Sequence, residues 1–378
     1  MKFMGSKRAM LQNGLGDLLR REARKYDRII DLFCGSGSVA WFAAQAFDKP
    51  VHAFDLQTFS IVLASSVLER TKCGQYGDAA SDWLDAVVET RARFTQWAEA
   101  DRLDRRRLST TSWSSQAKAI CAQPDERCIV WSSYGGYYFS PTQALTFDAM
   151  LHALPKNRVA ANLCRAIAVI AASQCAASPG HTAQPFKANH TAGPFLREAW
   201  MRCPIAYARK ALSALGPIIA RKKGKASVSD AVEVARTLQD TDLVFVDPPY
   251  SGVHYSRFYH VLETIARGTC GPVSGIGRYP PPSERPTSSF SRKGEAEAAL
   301  EMLLTRLSNS GCTVILTFPA KMCSNGLSGE LVLEHARRSF KVIQKTVKTR
   351  FSTLGGNNSH RDARQLTSEM ILLLRPKG

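Results

Sequence analysis

Two short stretches hold residues whose types and spacing could do chemistry. The first is Asp31-Leu32-Phe33-Cys34-Gly35-Ser36-Gly37, an apolar run that breaks into a glycine turn. Gly35 and Gly37 would let the backbone approach a ligand closely and take positive φ, although a purely structural turn would use the same residues. Asp55 closes a second apolar run about 20 residues further on, where nucleotide-binding α/β folds place an acid against ribose hydroxyls. A dinucleotide would want phosphates over the turn. Asp31 and the lack of a third spaced glycine fit a phosphate-free nucleoside better. The second stretch is Asp247-Pro248-Pro249-Tyr250, directly after the apolar Leu243-Val244-Phe245-Val246. Two consecutive prolines cannot continue a central strand, and they fix φ at about −65°. The chain must therefore leave the sheet at a defined angle, with Asp247 and Tyr250 at the strand's carboxyl end, where open α/β sheets bind ligands. A carboxylate and a backbone carbonyl there can accept hydrogen bonds from an exocyclic amino group, and an aromatic ring can stack on a base.

The elements that must position these residues follow from the hydrophobic pattern. Arg28 to Phe33 is a strand, the alanine-rich Val39 to Phe47 a helix, Val51 to Phe54 a second strand and Phe59 to Leu68 a second helix. This β-α-β-α opening is that of a doubly wound α/β sheet. Further strands are predicted at Leu243–Val246, Thr313–Phe318, Phe340–Arg350 and Met370–Leu374. The sheet is thus split in sequence. The predicted organisation is a first catalytic part over 1–74, a mainly helical insertion over 75–215 and a second catalytic part over 216–378. The insertion holds the basic run Asp101–Leu108, the aromatic run Ser132–Ser140, helices over Thr142–Leu154 and Arg158–Ala177, and a linker-like Ser178–Pro194. A second irregular stretch, Gly271–Lys293, is rich in Pro, Gly and Ser; loops of that length are functional or disordered as a rule.

The 378 residues carry 50 Lys and Arg against 32 Asp and Glu, a formal charge of +18, which favours a polyanionic partner. Hydrophobic residues at 44% and charged residues at 22% exclude a chain disordered throughout. The most apolar stretch, Ala166–Ala172, is far short of the ~18 residues a membrane span needs. The start has no apolar core after its charges, which argues against a secretory signal. The ten cysteines show no metal-knuckle spacing and read as reduced thiols of a cytoplasmic protein, with no metal site expected.

Together, Asp31–Gly37 and Asp247–Tyr250 resemble the cofactor and catalytic motifs of S-adenosylmethionine-dependent amino-methyltransferases. Their order, glycine motif first and DPPY late, resembles the α-group of N6-adenine DNA methyltransferases, the Dam-like family. Phe3-Met4-Gly5-Ser6-Lys7-Arg8 is similar to that family's leading motif, which implies Lys7 beside the cofactor. Val51–Ser60 resembles the segment with the ribose-binding acid, and Ser229-Asp230-Ala231 the motif whose carboxylate meets the cofactor's adenine. His254–Thr264 is similar to members associated with restriction systems. Two departures stand out: Ser6 replaces a common second glycine, and Ser251 follows the tyrosine where Asn is frequent.

The resemblance implies a Rossmann-like class I methyltransferase sheet with helices on both faces, split by a target-recognition insertion. It implies S-adenosylmethionine held by Lys7, Asp31, Phe33, Gly35, Gly37, Asp55 and Asp230. Asp247, Pro248 and Tyr250 would act on an adenine flipped out of double-stranded DNA. It also implies protection of host DNA alongside a cognate restriction endonuclease. Arg102, Arg105, Arg106 and Arg107 are candidate phosphate contacts, and His254, Tyr255 and Arg257 candidate DNA-facing residues. Tyr134, Tyr137, Tyr138 and Phe139 could stack on bases or build a core. An N4-cytosine enzyme typically has Ser, and a protein-glutamine enzyme Asn, where Asp247 stands. An adenine-N6 RNA methyltransferase and a catalytically silent DNA-binding subunit are the alternatives.

Overall fold

The computed structural model describes residues 7–352 and 364–377, with side chains for 7–348 and 368–377. Phe3 to Ser6 of the leading motif lie outside the described residues. The chain divides into two units. One takes Lys72–Pro217 and Ser256–Arg285; the other takes the described residues up to Thr71, Ile218–Tyr255 and those from Pro286 onward.

The second unit is built on one seven-stranded sheet: β1 (Arg28–Asp31), β2 (Val51–Asp55), β3 (Lys225–Val228), β4 (Asp242–Val246), β5 (Thr313–Pro319), β6 (Phe340–Ser352) and β7 (Arg364–Pro376). The order is β3-β2-β1-β4-β5-β7-β6. Strands β1 to β5 run parallel, and β7 lies antiparallel between β5 and β6. β4 and β5 are buried along their whole length and are apolar over Leu243–Val246 and Val314–Leu316, as strands covered on both faces are. Val244, Val246, Val314 and Leu316 pack on Leu300, Leu303, Leu304 and Leu307 of the helix Ala296–Asn309 and on Val332 and Ala336 of the helix Gly329–Ser339. The helices Ser38–Ala46 and Thr58–Leu68 follow β1 and β2, and the second is buried from Phe59 to Leu68.

Strand order reverses at β1, which has β2 on one side and β4 on the other. That reversal is the switch point at which doubly wound sheets open a crevice at their carboxyl ends. Asp31 stands opposite Ala53 and Phe245, and Asp55 opposite Val228. The register therefore brings Asp31, Asp55 and Asp247 to the same edge of the sheet. At the other end of β1, Arg28 Nε and Nη2 donate to the two oxygens of the buried Asp242 at 2.7 and 2.8 Å. Arg28→Met strands that carboxylate without its cation, so the chain should lose about 2–3 kcal/mol of stability in urea unfolding. A variant as stable as the wild type would show the pair to be idle.

Two strands differ most from the pattern-based expectation. β3 carries the sequence Lys-Ala-Ser-Val, an edge strand of four residues with none buried, too short for periodicity to reveal it. β7 starts at Arg364, six residues before Met370, because its polar first half pairs with β6 from Ser352 onward.

The first unit is mainly helical. Trp113 and Trp200 meet edge to face at 5.0 Å within a cluster that includes Leu103, Ala117 and Leu196. The helix Pro141–His152 starts with a capping box between Ser140 and Gln143. Tyr134, Tyr138 and Phe139 are fully buried, so their role is in the core and not on a base-stacking surface. Ser256–Arg285 belongs to this unit, although the sequence pattern groups it with the later strands. The buried aromatics hold it: Tyr134 Oη lies 2.9 Å from Thr264 Oγ1, and Tyr138 Oη donates to the Gly277 carbonyl at 2.9 Å. Among the described residues no helix is long and apolar enough to cross a membrane.

Candidate active site

The glycine turn after β1 needs glycine at both positions. Gly35 and Gly37 take φ of 47° and 74°, and a Cβ on Gly37 would come within 3.0 Å of Trp41 Nε1. Asp55 fastens the turn to the end of β2. Its Oδ2 accepts from the Gly35 N–H at 2.8 Å and its Oδ1 from the Gln57 N–H at 3.0 Å. Cys34 lies within the turn, and burial pushes its thiol well above the ordinary range, so it stays a protonated filler.

Asp31 is 1% exposed, and its Oδ1 has no hydrogen-bond partner among the described residues. Burial pushes its carboxyl up to about 8; the charges of Asp247 and Asp55 add to this, while backbone hydrogen bonds from Phe33 and Ala40 oppose it. Such a group calls for a cation. Phe33 meets Phe290 edge to face at 5.2 Å. Asp230, the expected adenine acceptor, caps the short helix Ala231–Val234, its Oδ1 accepting from the Val232 N–H at 2.8 Å.

Asp247 follows β4 directly, and two donors act on one of its oxygens. Thr317 Oγ1 donates to Oδ1 at 2.8 Å, and Lys7 Nζ stands 3.0 Å from the same atom. Lys7 is 3% exposed and reaches a second carboxylate, Glu369 Oε2 of β7, at 3.3 Å. The family resemblance implies Lys7 beside the cofactor; in the structure its ammonium is engaged by these two acids. Burial opposes the Lys7 charge, but the two carboxylates outweigh it and hold the amine above its ordinary range. Burial raises the Asp247 carboxyl, and Lys7 and Thr317 take back part of the rise. With Oδ1 occupied, the acceptor left for an incoming amine is Oδ2.

The turn itself is held by Asn325, which no motif identified. This side chain is 1% exposed; its Nδ2 donates to the Pro249 and Phe290 carbonyls, both at 2.9 Å, and its Oδ1 accepts from the Leu327 N–H. It ties the catalytic turn to the loop behind Phe33. Asn325→Ala leaves the buried Phe290 carbonyl and the half-buried Pro249 carbonyl without a donor, a loss of about 2 kcal/mol in thermal unfolding. Unchanged stability would mean that water replaces the amide there. Gly252 N donates to Ser324 Oγ at 2.9 Å on the same loop.

Tyr250 is half-buried and packs against the sheet core, with the Tyr255 hydroxyl beside its own. Tyr255, expected to face DNA, thus sits with the catalytic turn. His254 Nδ1 accepts from the Ser288 N–H at 3.3 Å, a structural contact. His260 is buried with its Nε2 2.9 Å from the Gly277 carbonyl, and burial lowers it to about 4, which leaves it neutral. Arg102, Arg105, Arg106 and Arg107 are all exposed in the helical unit. Arg105 pairs with Asp101 at 2.9 Å and Arg106 donates to Gln116. Arg257 is exposed as well, and its guanidinium lies 5.0 Å over the Tyr279 ring.

A sheet ordered 3-2-1-4-5-7-6 with β7 reversed, a glycine turn after β1 and an acid after β2 define the class I methyltransferase fold. The chain belongs to the D12 class N6 adenine-specific DNA methyltransferase family, whose model matches residues 3–277. It is also similar to modification methylase StsI of Streptococcus sanguinis, with 27% identity over 121 residues. That match spans 32% of this chain and 17% of the length of that methylase. Family membership implies a methyl donor as co-substrate.

Proposed function

We propose that this protein transfers a methyl group from S-adenosylmethionine to the N6 amino group of an adenine in duplex DNA. The observation that carries the reading is the fixed Asp247 carboxylate, with Oδ1 held by Thr317 and Lys7 and Oδ2 left to accept from an amine. The residues present fit the cofactor. The unpartnered Asp31 Oδ1 suits its ammonium group, the Gly35–Gly37 turn admits close approach, and Asp55 stands where ribose hydroxyls would lie. Phe33 and Asp230 complete the assigned set.

S-adenosylmethionine, when bound, supplies an electrophilic methyl group and leaves as a neutral thioether. The protein's part is orientation and electrostatics. An adenine extruded from the duplex stacks on the Tyr250 ring. Asp247 Oδ2 and the Pro248 carbonyl accept hydrogen bonds from its two amino N–H groups, which aims the nitrogen lone pair at the methyl group. As the N–CH3 bond forms, the nitrogen becomes cationic and sheds one proton; Asp247, with its carboxyl raised by burial, takes it. Lys7 steadies the carboxylate in this role.

Exposed Arg102, Arg105, Arg106, Arg107 and Arg257 supply phosphate contacts, consistent with the +18 charge. The likeness to a modification methylase supports host-DNA protection in the cytoplasm, beside a cognate restriction endonuclease. Transfer of labelled methyl groups from S-adenosylmethionine tests the reading on duplex DNA and structured RNA in parallel. Label in DNA that vanishes with Asp247→Ala supports it. Label confined to RNA, or label that survives the substitution, overturns it.

A further inference from the structure

Glu369 belongs to none of the motifs, yet it is buried on β7 beside Met370, Ile371 and Leu372, with its side chain 4% exposed. It stands opposite Pro319 of β5 and Val347 of β6. An apolar residue would serve that part of the sheet better, since a buried carboxylate is costly unless it is paired. Its ion-pair partner is Lys7, 3.3 Å away, and the same ammonium is 3.0 Å from Asp247 Oδ1. One cation is therefore shared between two carboxylates.

We propose that Glu369 is a positioning residue for methyl transfer, drawing the Lys7 ammonium partly away from Asp247 so that Asp247 keeps its strength as an acceptor for the target amine. The proposal rests on the functional reading above. Were Asp247 the sole counter-ion of Lys7, the ammonium would settle wholly on it and withdraw the charge that the adenine amino group needs. Among the described residues, the other titratable groups facing the trio are Asp31, Tyr250, Tyr255 and Cys323, and Thr317 adds its hydroxyl. Each of these remains in place when Glu369 loses its charge.

Glu369→Gln keeps the shape and an oxygen for Lys7 but removes the charge; Glu369→Asp keeps the charge on a shorter arm. The experiment measures kcat and KM on duplex DNA from pH 5 to 9 for the full chain and both variants. It includes dissociation constants for S-adenosylmethionine and thermal unfolding. For Glu369→Gln the account expects kcat roughly tenfold lower, both binding constants within about twofold of wild type, and the acidic limb of the kcat profile moved to lower pH. The limb moves that way because loss of a neighbouring negative charge makes Asp247 less basic. Glu369→Asp should recover most of the rate. A Glu369→Gln enzyme as fast as wild type overturns the inference alone, as does a Glu369→Asp enzyme no faster than Glu369→Gln, because charge is then not what matters. A wild-type chain with no transfer to DNA overturns the functional reading and this inference with it.

Discussion

Replacing Asp247 by Asn should slow single-turnover methyl transfer to duplex DNA by ~10³-fold, with S-adenosylmethionine affinity within about twofold of wild type. The geometry explains why so small a change is so severe. Thr317 and Lys7 are both donors directed at Oδ1. An asparagine must turn its carbonyl oxygen toward them, which aims its NH2 group at the position of the target amine. A donor then faces a donor, and the nitrogen loses the acceptor that raised its electron density. Thr317→Val removes one of the two constraints on Oδ1 and should cost only a fewfold loss. A Thr317→Val enzyme as impaired as Asp247→Asn would mean that the hydroxyl, and not the carboxylate's orientation, dominates.

The second large effect concerns Asp31 and runs in opposite directions for binding and stability. Its carboxyl is pushed up to about 8 in the folded protein, against an unfolded value of about 4. Below pH 4 both states carry the proton and the group costs nothing. Between pH 4 and 8 the unfolded chain gives up the proton that the folded chain keeps, so stability falls as pH rises. Asp31→Asn removes that slope. The variant should therefore gain on the wild type by ~1 kcal/mol per pH unit across this window, read from urea unfolding of the protein without cofactor. Cofactor binding should weaken by about 10–100-fold, because a buried charge-assisted contact to the ammonium is lost. Calorimetry in buffers of different ionisation enthalpy should find a proton released when S-adenosylmethionine binds the wild type at pH 7, and none with Asp31→Asn. Equal pH slopes for the two proteins would contradict the assignment.

Much of the positioning framework was legible in the chain because it is local. The run Arg28–Leu32 with its glycine turn, and the stop imposed by Pro248 and Pro249 after β4, are strand-to-turn signals written in consecutive residues. The apolar strands β4 and β5 were visible for the same reason. What escaped was set by pairing across long sequence distances. Thr317, Asn325 and Glu369 lie 70 or more residues from the turn they support, on strands or loops whose local pattern says nothing of a site. Polar β3 and the first half of β7 exist because a neighbouring strand pairs with them. Lys7 was tied to the cofactor by resemblance, and only the folded chain brings Asp247 and Glu369 to its ammonium. The aromatic run was ambiguous in sequence, since tyrosines serve cores and base-stacking surfaces alike; burial of Tyr134 and Tyr138 decided it.

The central claim is that Asp247 presents an acceptor to the N6 amine of adenine in DNA. It is tested most directly by digesting methylated duplex DNA to nucleosides after reaction with labelled S-adenosylmethionine and separating the products. The account expects all of the label in N6-methyladenosine's deoxy form when the wild type is used, and none with Asp247→Asn. Label in N4-methylcytosine, or an undiminished yield from the variant, would contradict it.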